Sequence, residues 1–183
     1  MILSRWESFD FMIDPARIYE LVQGLPPWLA VVIMAALPVA ELRLSLPYAL
    51  IGFGMEPLPA YLLSVLGNMV PIVPILLLFG PAHRLLDDVW PFRSIFRWLI
   101  GRVERHRPTF ERWGPLALVS FVAIPLPVTG AWTGSVAAFV FHVRRRDAFL
   151  LLLAGVMIAG LIVMALTYSG VMTVRVVTGP SLP

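Results

Sequence analysis

Charged residues leave three long gaps in this chain. Pro57–Ala82 (26 residues), Trp113–Val143 (31) and Ala148–Val174 (27) contain no Asp, Glu, Lys or Arg, and each reaches the ~20 residues that a helix needs to cross hydrocarbon. A fourth apolar run, Leu21–Ala40, stops at Glu41 and Arg43. The longest gap is also the least regular. As one straight helix it would be about 45 Å long against a core of about 30 Å, yet Pro125, Pro127, Gly130 and Gly134 interrupt its middle. Its halves, Pro115–Ile124 and Ala131–Phe141, would each reach mid-membrane and return without crossing. The pattern predicts a re-entrant hairpin.

The same design occurs earlier. Leu29–Pro38 reads LAVVIMAALP and Leu116–Pro125 reads LALVSFVAIP, 87 residues later, with five identities in ten. Pro38 and Pro47 flank a polar bend, Ala40–Ser45, so Trp28–Gly54 is expected to form a first hairpin. Each hairpin precedes a full span, Leu58–Gly80 and Ala148–Gly170. The expected architecture is an all-α integral membrane fold, with a lead-in at 1–27 and a first repeat at 28–80 (hairpin 28–54, span 58–80). A linker at 81–113 joins it to a second repeat at 114–172 (hairpin 114–142, span 148–170), and 173–183 form a tail. Broken half-helices at matching repeat positions are a pattern of membrane transporters.

Charge tests the topology independently, because a hairpin returns to its own side and a span changes sides. The linker and the Arg144-Arg145-Arg146 triplet hold ten of the fourteen arginines; were Trp113–Val143 to cross, the triplet would lie opposite the linker. The positive-inside rule makes their shared face cytoplasmic, with both termini outside the plasma (inner) membrane. The repeats would then have inverted topology. In the alternative, Trp28–Leu50 crosses fully and the N-terminus lies inside, which places Glu41 and Arg43 in a transmembrane helix. Phe92, Ile95, Phe96, Leu99 and Val103 recur at helical spacing in the linker, with Arg93, Arg97, Arg102 and Arg105 on other faces. Such a helix lies on the inner leaflet among anionic lipids, or forms a cytosolic hairpin that meets a partner. The lead-in mixes Trp6, Phe9, Phe11 and Ile13 with charges and reads either as a surface-lying segment or as a disordered tail; it does not resemble a signal peptide.

Composition agrees: 59% of residues are hydrophobic, 14% charged, and the mean hydropathy is +0.86. The chain has no lysine, which excludes a Walker A loop, a Schiff base and a pyridoxal cofactor. It has no cysteine, which excludes thiol catalysis and thiolate metal sites. His83, His106 and His142 lack ligand spacing. No cofactor, metal or nucleic-acid partner is expected, and no nucleophile and base suggest an enzyme.

Glu41 and Arg43 are the charges expected at depth, and burying each costs ~2.5–3.5 kcal/mol or more. Glu41 is the candidate proton-coupling group, and Arg43 and Ser45 are candidate substrate ligands; a pair that merely holds the hairpin shut is the structural alternative. In the second bend, Thr129, Gly130, Trp132 and Thr133 are candidate substrate contacts, because N–H groups and hydroxyls that open a half-helix favour an anion. The expected breaks are Pro38, Pro47, Pro125, Pro127 and Gly134. Asn68 is expected to support a hairpin by bonding its freed backbone.

The bends Pro38–Pro47 and Pro125–Gly134, with Gly67-Asn68, resemble the small multidrug export protein family over roughly residues 28–172. That family is similar in turn to the DedA, or VTT-domain, superfamily. The resemblance implies two facing re-entrant hairpins, and either export of small toxic compounds or proton-coupled movement of an anionic lipid carrier such as undecaprenyl phosphate. DedA proteins carry acidic residues in the first hairpin and arginines in the second, whereas here Glu41 and Arg43 share the first bend and the second is uncharged. The leading expectation is a proton-coupled secondary transporter that moves an anionic amphiphile or lipid-linked phosphate through a cavity between the hairpins. The alternatives are an exporter of small cationic drugs and a non-transporting scaffold that uses its arginine-rich linker. Membrane lipids are expected partners, and two spans leave enough hairpin surface uncovered that a homodimer is expected.

Overall fold

A computed structural model describes residues 22, 24–86, 89, 92–124 and 130–170. The lead-in, the tail, and the bend residues Pro125, Pro127 and Thr129 lie outside these. Among the described residues every regular element is helical: α1 Pro27–Ala36, α2 Glu41–Pro47, α3 Pro57–Met69, α4 Ile72–Leu86, α5 Phe92–Glu104, α6 Arg107–Trp113, α7 Ala117–Ala123, α8 Ala131–Val140 and α9 Arg145–Tyr168. Among the described residues, two stretches are long and apolar enough to cross a membrane, Pro57–His83 and Arg145–Tyr168.

The chain divides into two compact units. The first comprises residues up to Asn68 and from Gly160 on; the second is Met69–Ala159. Each unit therefore combines one pair of short helices with part of each long apolar stretch.

In the first unit, α1 starts with Pro27 in its first turn, where the missing N–H costs nothing. It ends at Leu37, whose extended backbone (φ −72°, ψ 138°) is what a following proline imposes. The chain reverses over Leu37–Ala40, and α1 and α2 pack against each other. Ala30, Met34 and Ala40 form a core that Leu37, Leu44 and Tyr48 extend. This corrects two expectations. The bend spans Leu37–Ala40 rather than Ala40–Ser45, and Pro47 does not break the helix but lies inside it. Pro47 has no N–H to give the Arg43 carbonyl, and the helix continues as a wider π-turn over Tyr48–Gly52, with Phe53 N–H bonding the Tyr48 carbonyl. Single π-turns absorb such a local defect.

The second unit repeats the opening of the first. Helix α7 stops at Ile124 in extended backbone (φ −81°, ψ 114°), again the residue before a proline. Helix α8 then packs against α4, α5 and α7. Phe96 and Val103 of α5 are buried, so the amphipathic linker spends part of its apolar face on protein. Phe79, His83, Phe96 and Phe139 form an aromatic cluster, with Phe79 and Phe139 centroids 5.2 Å apart.

Two glycines admit close helix approaches at matching repeat positions. A Cβ on Gly67 of α3 would lie 2.5 Å from the Val32 carbonyl oxygen and 2.7 Å from Ala35 Cβ. A Cβ on Gly155 of α9 would lie 3.1 Å from the Val119 carbonyl oxygen and 2.9 Å from Val122 Cβ. Val32 and Ala35 are the fourth and seventh residues of the repeated phrase, and Val119 and Val122 are the same two in its second copy.

Candidate functional site

Of the buried polar side-chain atoms that lack a partner among the described residues, Ser45 Oγ, Ser64 Oγ and Asn68 Oδ1 lie in the first unit and His106 Nδ1 in the second. Glu41 opens α2 with a left-handed backbone, φ 46°, a conformation uncommon for a residue with a side chain and found disproportionately at functional sites. Its N–H bonds the Leu37 carbonyl at 3.0 Å, which anchors it to the end of α1. The glutamate is only 7% exposed. Its Oε2 lies 3.8 Å from Arg43 Nη2, and the Arg43 side chain is itself largely covered. The two charges predicted at depth thus form one ion pair, at a separation where attraction is retained without a tight hydrogen bond.

Ser45, one helical turn beyond Glu41 on α2, is fully buried, and its hydroxyl has no hydrogen-bond partner among the described residues. Ser64 and Asn68 on α3 share this condition: both are buried, and neither Ser64 Oγ nor Asn68 Oδ1 meets a partner. They are four residues apart, and Tyr61, three before Ser64, continues the same buried stripe. Gly160 seats that tyrosine: a Cβ there would fall 2.6 Å from the Tyr61 ring and 3.3 Å from Leu42 Cδ1, so α2, α3 and the last part of α9 converge. Buried polar atoms are normally paired, and leaving one unpaired costs about 1–3 kcal/mol. Three such oxygens in one unit mark a place where the chain retains polarity that packing alone would discard. Asn68 was expected to bond freed backbone; its Oδ1 accepts no hydrogen bond among the described residues. Sequence reading missed Ser64, whose only signal was its four-residue spacing from Asn68.

The second bend is organised differently. Gly130 N–H donates to Thr133 Oγ1 at 3.1 Å, and the Thr133 hydroxyl lies 3.3 Å from the Gly130 carbonyl oxygen. Ser135 Oγ donates to the Ala131 carbonyl at 2.8 Å. The donors that an anion would use at Gly130 and Thr133 are thus engaged in starting α8. Trp132 is half-buried. Gly134 is not a break but an interior residue of α8; a Cβ there would meet Leu152 and Val122 side chains at 2.7 Å, so it admits close packing. No group of three or more His, Cys, Asp or Glu able to hold a metal occurs among the described residues.

No curated protein and no solved structure matches this chain. Residues 41–162, from the buried glutamate of α2 into α9, match the family described as “Putative small multi-drug export protein”, and the chain belongs to that family.

Proposed function

We propose that this protein is a proton-coupled membrane transporter whose coupling centre is the Glu41–Arg43 pair, and that it moves an anionic amphiphile or lipid-linked phosphate. The observation that carries the reading is the buried pair, 3.8 Å apart, beside a bend held in left-handed backbone. Family membership supports export across a membrane. With Glu41 ionised, the pair is neutral overall and offers little to an anion. When Glu41 takes a proton, Arg43 loses that counter-charge, and a phosphate or carboxylate group restores it. One proton and one anion thus enter together. The hydroxyls of Ser45 and Ser64 and the amide of Asn68 supply polar groups to an otherwise apolar interior. This reading takes both helix pairs as re-entrant, and the division of the chain supports it: each pair is grouped with only part of each long apolar stretch.

The test is proton flux in proteoliposomes that contain a pH-sensitive dye. Adding an alkyl phosphate under an imposed pH gradient should drive dye-reported flux in the natural protein, and Glu41→Gln should reduce it about tenfold or more while remaining helical and monodisperse. Equal flux in the variant would overturn the coupling role.

The family's description favours a second reading, export of small cationic compounds. The buried Glu41 carboxylate would serve a cation, with Arg43 opposing it. Flux driven by a quaternary ammonium compound but not by the alkyl phosphate would select this reading.

A further inference from the structure

In the second unit, α4 and the start of α9 flank a shallow, open groove of about 410 Å³. Val73, Leu76 and Leu77 form one wall and Phe149 and Leu150 the other; Arg145 and Arg146, both exposed, add their apolar stems to a lining that is almost wholly apolar and keep their charges at its mouth. Val73, Leu77 and Leu150 are exposed, so the groove opens outward from the second unit. Its charge is unbalanced. Arg145 and Arg146 are the first two residues of a 24-residue helix, where free N–H groups and the helix dipole already favour negative charge and disfavour cations. Arg144 precedes them and Asp147 is the acidic residue of that turn, so residues 144–147 carry three positive charges and one negative. No carboxylate pairs with Arg145 or Arg146 among the described residues.

We propose that this groove binds one anionic membrane lipid, with its phosphate against Arg145, Arg146 and the first turn of α9 and an acyl chain along the Val73–Leu77 and Phe149–Leu150 walls. Charge complementarity selects this occupant. An apolar helix of another protein would fill the walls but bring no negative charge to the exposed Arg145 and Arg146 at the mouth. A zwitterionic lipid brings its own cation to the same place, and a free anion makes no use of the apolar walls. The proposal rests on the chain being a membrane protein and not on transport through Glu41.

Native mass spectrometry of the full chain in neutral detergent tests it, with phosphatidylglycerol, phosphatidylcholine and inorganic phosphate as separate probes. Phosphatidylglycerol should bind about tenfold tighter than phosphatidylcholine. The double change Arg145→Gln with Arg146→Gln should abolish that preference, and Arg145→Lys with Arg146→Lys should keep most of it. Leu76→Trp, which fills the groove but leaves the charges, should weaken phosphatidylglycerol binding, and Glu41→Gln should leave it unchanged. Equal binding of the two lipids, undiminished phosphatidylglycerol binding in the double Gln variant or in Leu76→Trp, or competition by inorganic phosphate at similar concentration would overturn the lipid assignment. If the double Gln variant does not fold, the lipid comparison on the natural chain and the Leu76→Trp result decide alone.

Discussion

The two units begin from nearly the same sentence and end with opposite chemistry. In both, a short helix stops on extended backbone before a proline, and a glycine from a long apolar helix seats against the same two positions of the repeated phrase. Aligning Gly67 with Gly155 places Ser64 opposite Leu152 and Asn68 opposite Val156. All four are buried, but the first unit's pair leaves oxygens unpartnered whereas the second unit's pair is aliphatic. The phrase offset likewise sets Arg43 against Gly130 and Ser45 against Trp132. Architecture is thus shared where backbone contacts demand it, and at these matched positions of the long helices buried polarity is kept in the first unit only. A polar group that merely filled space would be replaced by an apolar one at little cost, so its retention in one repeat points to use.

The largest expected break in this comparison is at the matched glycines. Gly67→Ala places a methyl against the Val32 backbone, which cannot rotate away, and should cost about 1–3 kcal/mol. The loss comes despite the ~1 kcal/mol that alanine gains in helix propensity. Gly155→Ala meets longer approaches and should cost less. Thermal unfolding of both variants in detergent measures the difference; equal loss would mean that the two glycine seats are equally tight.

A sharper contrast comes from hydroxyls. Thr133→Val removes an acceptor that Gly130 N–H uses and should lower stability by about 1 kcal/mol, with transport unchanged. Ser64→Ala removes an oxygen that has no hydrogen-bond partner among the described residues and should leave stability unchanged or raise it by up to about 1 kcal/mol, while transport falls. Ser64→Ala with full transport would sink the functional reading of the polar stripe. The smallest effect is expected at Arg107, whose ion pair with Glu104 at 2.9 Å is exposed. Arg107→Gln should change stability by under about 0.5 kcal/mol, a reference against which the buried changes are read.

Much of the helical class was legible before any coordinates, because apolar runs of membrane length and charge-free gaps are one-dimensional properties. The breaks before Pro38 and Pro125 were legible for the same reason: proline constrains its predecessor whatever surrounds it. Pro47 was misread because a proline at the end of a seven-residue helix can be absorbed by widening the next turn, and local sequence does not say whether the neighbours will tolerate that. Glu41 and Arg43 stood out as charges in an apolar run. Their pairing at 3.8 Å and the left-handed backbone of Glu41 did not, since both depend on how α1 and α2 fold back on each other. The glycine seats and the unpartnered oxygens belong to tertiary structure entirely. Sequence determined which segments avoid water and where proline bends the chain, through solvation and local sterics. Which buried groups meet, and which are left unsatisfied, was decided only when helices distant in the chain came into contact.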